Sequence, residues 1–137
     1  MEINDIVNDV TKLATEKGFW KDYDRCLTDE GKRAFISQKL MLVVSELSEA
    51  LEALREDHRS QSPEVVENAM RDPKNESLES FKELFEERVK NSFEDELADA
   101  VIRIADLAGK LNINLDWHIQ RKMEYNGTRP YKHGKNF

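Results

Sequence analysis

Residues 40–56, which read LMLVVSELSEALEALRE, decide the fold because their apolar side chains recur at helical spacing. At about 100° per residue, one apolar stripe lies within about 60° of Leu47. Residues 93–111, FEDELADAVIRIADLAGKL, repeat this pattern about Leu97. The two stretches therefore predict two long amphipathic helices whose stripes face the core. The stripe residues are Ile36, Leu40, Val43, Val44, Leu47, Leu51 and Leu54 in the first helix and Leu97, Val101, Ile104, Ala108 and Leu111 in the second.

Each stretch also carries a pair of acidic residues three positions apart. Glu46 and Glu49 belong to the first helix, and Glu96 and Asp99 belong to the second. The members of each pair fall about 100° and about 160° from the centre of their own stripe. If the helices pack antiparallel, the four carboxylates converge. The alternative is that both pairs are solvated helix faces, because Glu-x-x-Glu spacing is common in helices.

Four carboxylates need a counter-charge to share one site, because two like charges about 4 Å apart repel by roughly 4 kcal/mol at an effective dielectric constant of about 20. A hard divalent cation with oxygen ligands supplies that charge. Mg²⁺ usually keeps several waters and bridges a small number of carboxylates to substrate phosphates. The matched acidic pairs therefore indicate a cation site that binds a phosphorylated ligand.

The composition favours a single all-α domain that spans residues 1–137. Charged residues make up 36% of the chain, which has only five glycines and three prolines, and this length supports one core. The net charge of −7 argues against binding to a nucleic acid polymer. Cys26 is the single cysteine, which excludes an internal disulfide. With no signal peptide or long apolar span evident, we expect a cytoplasmic protein without a membrane partner.

Residues 57–91 separate the two acidic helices and form a helical insertion, which either covers the site as a lid or extends a dimer contact. Ser92, followed three residues later by Asp95, resembles a capping box at the start of the second acidic helix. Residues 21–32 are polar and mixed, which predicts a loop. The predicted helices cover residues 2–17, 33–56, 64–70, 78–90, 93–111 and 115–125.

Three further side chains are candidates for contacts with a bound ligand, and each has a simpler explanation. Trp20, in the Gly-Phe-Trp turn after the first helix, either anchors the turn on the core or forms a wall against a planar ring such as a nucleobase. Lys39 lies on the face of Glu46 one heptad earlier, and either contacts phosphate or is solvated. Arg103 lies on the acidic face of the second helix, and either contacts phosphate or pairs with Asp99.

The C-terminal tail, residues 118–137, is basic although the chain as a whole is acidic. It holds five lysines and arginines against one glutamate. Lys122 and Asn126 share a helix face, and lysine and arginine side chains bind phosphate well. The tail also contains Pro130, Tyr131 and Phe137. It therefore either folds over an anionic ligand or is a disordered terminus.

The order of these motifs resembles that of the all-α nucleoside triphosphate pyrophosphohydrolases of the MazG-like superfamily, which includes dimeric dUTPases and phosphoribosyl-ATP pyrophosphohydrolases. The resemblance rests on the Gly-Phe-Trp turn and on the segments SELSEALE, EDELADAVIRIADLA and KMEYNGTRPYKHGK, and it covers most of the chain outside residues 57–91. It implies a MazG-like helical bundle with antiparallel long helices that assembles as a homodimer or homotetramer.

The resemblance also implies the chemistry. Glu46, Glu49, Glu96 and Asp99 would bind Mg²⁺, for which Mn²⁺ could substitute. The substrate would be a (deoxy)nucleoside triphosphate, hydrolysed to the monophosphate and pyrophosphate, with nucleotide-pool housecleaning as the expected role. Trp20 would lie close to the base. The tail positions that match phosphate or sugar contacts in relatives are Lys122, Asn126 and Arg129.

Direct attack by water is the simplest mechanism, because no serine, cysteine or histidine nucleophile constellation accompanies the acidic residues. We assign Glu49 as the carboxylate that orients or deprotonates this water. A di-iron carboxylate bundle is disfavoured, because its Glu-x-x-His pattern is absent from the acidic helices. The remaining alternative is a non-catalytic helical assembly or binding protein whose stripes bury against a partner.

Overall fold

The computed structural model describes residues 2–130, and every regular element within them is helical. The all-α prediction is therefore confirmed for this part of the chain. Among its helices, none combines the length and the apolar composition that crossing a bilayer requires. The elements are α1 (Ile3–Glu16), α2 (Lys21–Arg25), α3 (Asp29–Arg55), α4 (Pro63–Met70), a 3₁₀ turn (Pro73–Asn75), α5 (Leu78–Arg88), α6 (Phe93–Lys110) and α7 (Leu115–Gly127).

The predicted loop at residues 21–32 is wrong over much of its length. It contains the single-turn helix α2, and α3 already begins at Asp29. Thr28 explains the early start of α3, because its Oγ1 accepts a hydrogen bond from Gly31 N at 3.1 Å and its carbonyl oxygen accepts one from Lys32 N at 3.1 Å. Such a cap gives a partner to backbone N–H groups of the first turn, which have no acceptor within the helix. The sequence did not predict α2 or the first turn of α3 because both are polar and lack apolar residues at helical spacing.

Residues in the left-handed backbone region end three of the helices. Gly18, at φ 82°, follows α1, and the N–H of Phe19 then donates to the Ala14 carbonyl at 3.1 Å. Asp57 and Asn112 take the same role after α3 and α6, at φ 55° and 53°. This left-handed ending is the usual way to satisfy the last carbonyls of a helix. The predicted ends near Gly18 and at residues 112–114 are confirmed.

The chain divides into two compact units. The first unit consists of Met1–Phe35 and Ile104–Phe137, and the second consists of Ile36–Arg103. In the first unit, α1 packs against α7. A Cβ on Gly109 of α6 would lie 1.9 Å from Thr11 Oγ1 of α1, so this close approach requires a glycine. A single domain over residues 1–137 stays a prediction.

In the second unit, α3 and α6 run antiparallel, as the sequence predicted. Arg103 of α6 contacts Glu46 of α3, while the N–H of Phe93, at the start of α6, donates to the His58 carbonyl just past the end of α3 at 3.0 Å. The helices α4 and α5 of the insertion pack against each other, and both were predicted. The buried apolar residues of this unit are Val43, Ala50, Ala53, Val66, Leu84 and Ala100.

Most of the face that each acidic helix was predicted to bury is exposed, although Val43 and Ala108 of the predicted stripes are buried. Leu47 and Leu97, at the centres of the predicted core stripes, are 48% and 40% exposed. Besides Val43, the buried residues of α3 are Glu46, Ala50 and Ala53, which lie outside the predicted stripe. Alanines allow two helices to approach closely, whereas the leucines of the stripe would hold them apart. Within this chain, the acidic face is therefore the contact face and the apolar stripe is turned outwards.

Candidate cation site between two helices

Three of the four predicted metal ligands meet on the contact face of α3 and α6. Glu46, Glu96 and Asp99 each offer a carboxylate oxygen, and these oxygens lie within 4.8 Å of one another. Glu46 and Glu96 are only 5% and 4% exposed, respectively. We call these three residues the carboxylate cluster. Its members come from both acidic motifs, so the convergence expected from helix geometry is present for these three.

Burial and mutual repulsion make the carboxylate cluster costly to ionise. Burial raises the pKa of Glu96 from its ordinary value of 4.5 to about 7, and the carboxylates of Glu49 and Glu46 add to the rise. Burial also raises the pKa of Asp99, together with the charges of Asp95 and Glu46. A carboxylate that loses hydration without gaining a counter-charge favours its neutral form. The cluster therefore takes up either a proton or a cation.

Arg103 is a cationic side chain that contacts the cluster. Its Nε donates a hydrogen bond to Glu46 Oε1 at 2.5 Å, and its charge partly opposes the rise in the pKa of Asp99. The sequence left open a phosphate contact or a pair with Asp99, whereas the hydrogen bond is made across the helices to Glu46. The carboxylates of Glu96 and Asp99 make no such hydrogen bond with Arg103 among the bonds described.

Glu49 stands apart from the other three predicted ligands. It is exposed, and its Oε1 accepts a hydrogen bond from Ser45 Oγ at 3.5 Å. Its charge nevertheless raises the pKa of Glu96, so the two carboxylates are electrostatic neighbours. Glu49 is therefore a hydrated carboxylate beside the cluster, which suits a residue that handles water.

Two grooves adjoin the carboxylate cluster. The acidic groove, of about 480 Å³, is lined by Glu49, Glu52, Glu56, Glu96, His58 and Asn91, among others. The aromatic groove, of about 640 Å³, lies between α5 and α6 and is lined chiefly by Phe81, Phe85, Val89, Ala98, Asp99 and Ile102. Glu96 connects the cluster with the first groove, and Asp99 connects it with the second.

Glu94 holds the start of the insertion against α6, which the sequence did not predict. Its two carboxylate oxygens accept hydrogen bonds from Ser60 N at 2.9 Å and from Arg59 Nε at 2.7 Å. These bonds lower the pKa of Glu94, and the bond from Ser60 N has the largest effect. Asp95 was also missed as a site residue, although it raises the pKa of Asp99. The run Glu-Asp-Glu in residues 94–96 was the signal for both.

Trp20 anchors the turn on the core, which is one of the two roles that the sequence left open. It is 1% exposed, and its Nε1 donates to Asp106 Oδ1 at 2.7 Å. The rings of Tyr23 and Phe35 lie 5.5 and 5.7 Å from its own, measured between centroids. In this conformation the indole presents no face to a ligand, and its contact with a base stays a prediction.

The other predicted substrate residues belong to different parts of the chain. Lys39 lies on α3, one heptad before Glu46. Lys122, Asn126 and Arg129 are exposed on or just after α7, and Lys122 Nζ lies 5.0 Å from the centroid of the Tyr125 ring. Their contacts with substrate stay predictions. The rest of the predicted basic tail, residues 131–137, lies outside the described residues.

Comparison of the chain with protein-family models, curated proteins and solved structures gives no match.

Proposed function

We propose that this protein is a Mg²⁺-dependent nucleoside triphosphate pyrophosphohydrolase with a MazG-like fold. The observation that carries the proposal is the carboxylate cluster, in which oxygens of Glu46, Glu96 and Asp99 lie within 4.8 Å of one another. Two of the three side chains are buried, and all three belong to the acidic motifs on which the family resemblance rests.

The donor set of the cluster fits a hard divalent cation. All three ligands are carboxylates, which suit Mg²⁺ and Mn²⁺ better than they suit soft metals. Burial first, and then the neighbouring carboxylates, raise the pKa of Glu96 and of Asp99, so a positive charge at the cluster would favour their ionised forms. A bound cation would supply that charge and keep both carboxylates ionised at neutral pH. Glu46, Glu96 and Asp99 would hold the ion.

The chemistry that we propose is attack by water on the α-phosphorus of the nucleoside triphosphate. A bound Mg²⁺ would supply positive charge that neutralises the phosphates. Glu49 orients the water and accepts its proton, because it is the exposed carboxylate beside the cluster. A new P–O bond forms from the water, the bridging P–O bond breaks, and pyrophosphate leaves. Arg103 keeps Glu46 in place through its 2.5 Å hydrogen bond.

We also propose that the chain acts as a homodimer or homotetramer in the cytoplasm. The support for assembly is the apolar stripe of α3, which is turned outwards. Five of its side chains, Leu40, Val44, Leu47, Leu51 and Leu54, are each about half exposed. A continuous apolar surface of this kind is unusual on a monomer and typical of an interface.

The same stripe favours a second candidate function, a non-catalytic helical assembly protein. In that case the stripe binds a partner protein and the carboxylate cluster has only a structural role. Calorimetry separates the two candidates. The pyrophosphohydrolase binds a non-hydrolysable nucleoside triphosphate only when Mg²⁺ is present, whereas the assembly protein binds none under either condition.

Pyrophosphate release tests the proposed function. The assay uses canonical, deoxy and oxidised or methylated nucleoside triphosphates, each with Mg²⁺ and with EDTA. We expect release to require Mg²⁺, and we expect Glu49→Gln and Asp99→Asn each to reduce it by at least about 100-fold. Glu67→Gln is the matched control, because it removes an exposed carboxylate on α4. Full activity in both site variants would reject the assignment.

A further inference from the structure

The aromatic groove offers a flat apolar wall beside the carboxylate cluster. Phe81 and Phe85, one turn apart on α5, have ring centroids 6.1 Å apart and planes inclined by 32°. Ala98 and Ile102 of α6 line the opposite side. The volume of about 640 Å³ lies within the roughly 300–1,000 Å³ of small-molecule sites. The groove therefore has room for a planar ring and surfaces on which to pack it.

The aromatic groove is continuous with the cluster through Asp99. The carboxylate of Asp99 belongs to the group of three and also lines the groove. Asp95, one turn earlier on the same face of α6, lines the groove too, and its Oδ2 accepts a hydrogen bond from Asn91 N at 2.9 Å. A ligand whose charged end lies at the cluster can thus extend along α6 between the two helices.

Charge along the two grooves favours the aromatic one for the uncharged part of such a ligand. The acidic groove is lined by four glutamates, namely Glu49, Glu52, Glu56 and Glu96. The aromatic groove is also lined by four carboxylates, those of Glu86, Glu94, Asp95 and Asp99, but it adds apolar walls and the cations Lys82 and Lys90. Lys90 Nζ lies 3.6 Å from Glu86 Oε1, so these two charges offset each other. A nucleoside triphosphate has the matching pattern, with anionic phosphates at one end and an apolar ring face at the other.

We propose that the aromatic groove holds the base of the nucleoside triphosphate, so that α5 of the insertion takes part in base recognition. This inference rests on the proposed function. Phe81 provides the stacking surface, because it is 45% exposed. Trp20, the aromatic residue that the sequence suggested for this role, has its ring covered in the core. The insertion at residues 57–91 is then a specificity element of the site.

The test compares a ligand that has a base with one that has none. Affinities are measured by calorimetry with Mg²⁺ for the α,β-methylene analogues of ATP and CTP and for inorganic tripolyphosphate. In Phe81→Ala we expect the analogues to bind roughly 5- to 50-fold more weakly, as loss of one stacking side chain usually gives, and tripolyphosphate to bind within about twofold of the wild type. Leu78→Ala is the matched control, since Leu78 lies on the same helix, is 71% exposed and is not among the groove residues.

A second variant gives a readout that is independent of affinity. In Phe81→Trp, we expect the analogues to quench the fluorescence of the new indole, and tripolyphosphate to leave it unchanged. The base placement is overturned if the wild type binds both kinds of ligand but Phe81→Ala weakens neither. It is equally overturned if Phe81→Ala changes only the oligomeric mass, which would make the groove a contact between copies. If the wild type binds neither ligand with Mg²⁺, the proposed function itself fails and the base placement fails with it.

Discussion

Arg103 and Glu46 join α6 to α3 through a hydrogen bond of 2.5 Å between Nε and Oε1. The Glu46 side chain is almost fully buried, whereas Arg103 reaches it from a more exposed position. A buried carboxylate of this kind is stabilised only while a positive charge faces it. Arg103 is therefore a built-in counter-charge for the carboxylate cluster, and a bound cation would share that task.

We expect Arg103→Gln to destabilise the protein more in EDTA than in Mg²⁺. Without a cation, the variant leaves Glu46 buried opposite a neutral side chain, which should cost about 1–2 kcal/mol after allowance for the exposure of Arg103. With Mg²⁺, the ion supplies the missing charge and the loss should shrink. Thermal unfolding of both proteins under the two conditions measures this difference.

Arg55→Gln is the control for Arg103→Gln. Arg55 pairs with Glu52 on the surface of α3, where the two side chains are 63% and 61% exposed. Its loss should cost less than about 0.5 kcal/mol under either condition. If Arg103→Gln lowered stability equally in EDTA and in Mg²⁺, Arg103 would serve packing and not charge balance.

We expect the metal-free protein to lose stability as the pH rises from about 5 to about 8. The pKa of Glu96 is about 7 in the folded protein, against an ordinary value of 4.5. The folded state therefore binds a proton that the unfolded state has released, so the free energy of unfolding falls across this window. The raised pKa of Asp99 acts in the same direction. Urea midpoints in EDTA at several pH values measure the effect, and Mg²⁺ should oppose it.

Glu96→Gln is the control for the pH series. The amide removes the titrating group, so the variant should be less sensitive to pH and more stable than the wild type at pH 8 in EDTA. The series begins at pH 5 because the lowered pKa of Glu94 acts in the opposite direction below its ordinary value of 4.5. A wild-type midpoint that stays level or rises between pH 5 and pH 8 would contradict the expected ionisation of the cluster.

We expect Glu49 and Asp99 to differ in what their loss removes. Asp99 is a member of the carboxylate cluster and Glu49 is not. Asp99→Asn should weaken Mg²⁺ binding by at least about tenfold, whereas Glu49→Gln should leave it within about threefold while reducing pyrophosphate release by at least about 100-fold. Calorimetry with Mg²⁺ measures the first quantity, and the release assay measures the second. Equal losses of Mg²⁺ affinity would make Glu49 a fourth ligand.

Helix periodicity was enough to predict the long helices and the meeting of the acidic motifs. Glu46 and Glu96 lie at the same angle from the apolar stripes of their own helices. This match predicted that the two side chains would meet where the helices are in contact. The same angles placed Glu49 in the site, but its exposed position beside Ser45 depends on side-chain packing. Burial of the leucine stripe was predicted wrongly, because apolar character shows only that a face avoids water and not what covers it.

The position of the insertion could not be predicted from local patterns. Its start is held by Arg59 and Ser60 on Glu94, across about 35 residues of sequence. Phe81 and Asp99 line one groove because the fold brings α5 and α6 to its two sides. The periodicity of α5 identified its apolar face, but the surface that this face meets depends on long-range contacts.

We expect the outward apolar stripe of α3 to hold copies of the chain together. A charge at Leu47 would be buried without a partner in such an interface, which costs several kcal/mol. Leu47→Asp should therefore shift the protein towards the monomer mass of 16.0 kDa. Light scattering coupled to size exclusion measures the mass, and circular dichroism should show that the helices remain.

Leu27→Asp is the matched control for the stripe. Leu27 is 96% exposed and precedes α3, so it is an exposed leucine that the stripe does not include. Its replacement should leave the oligomeric mass unchanged, because a solitary apolar side chain at the surface does not make an interface. If the wild type itself had the monomer mass, or if Leu47→Asp kept the oligomeric mass of the wild type, the stripe of α3 would not be the surface that joins the copies.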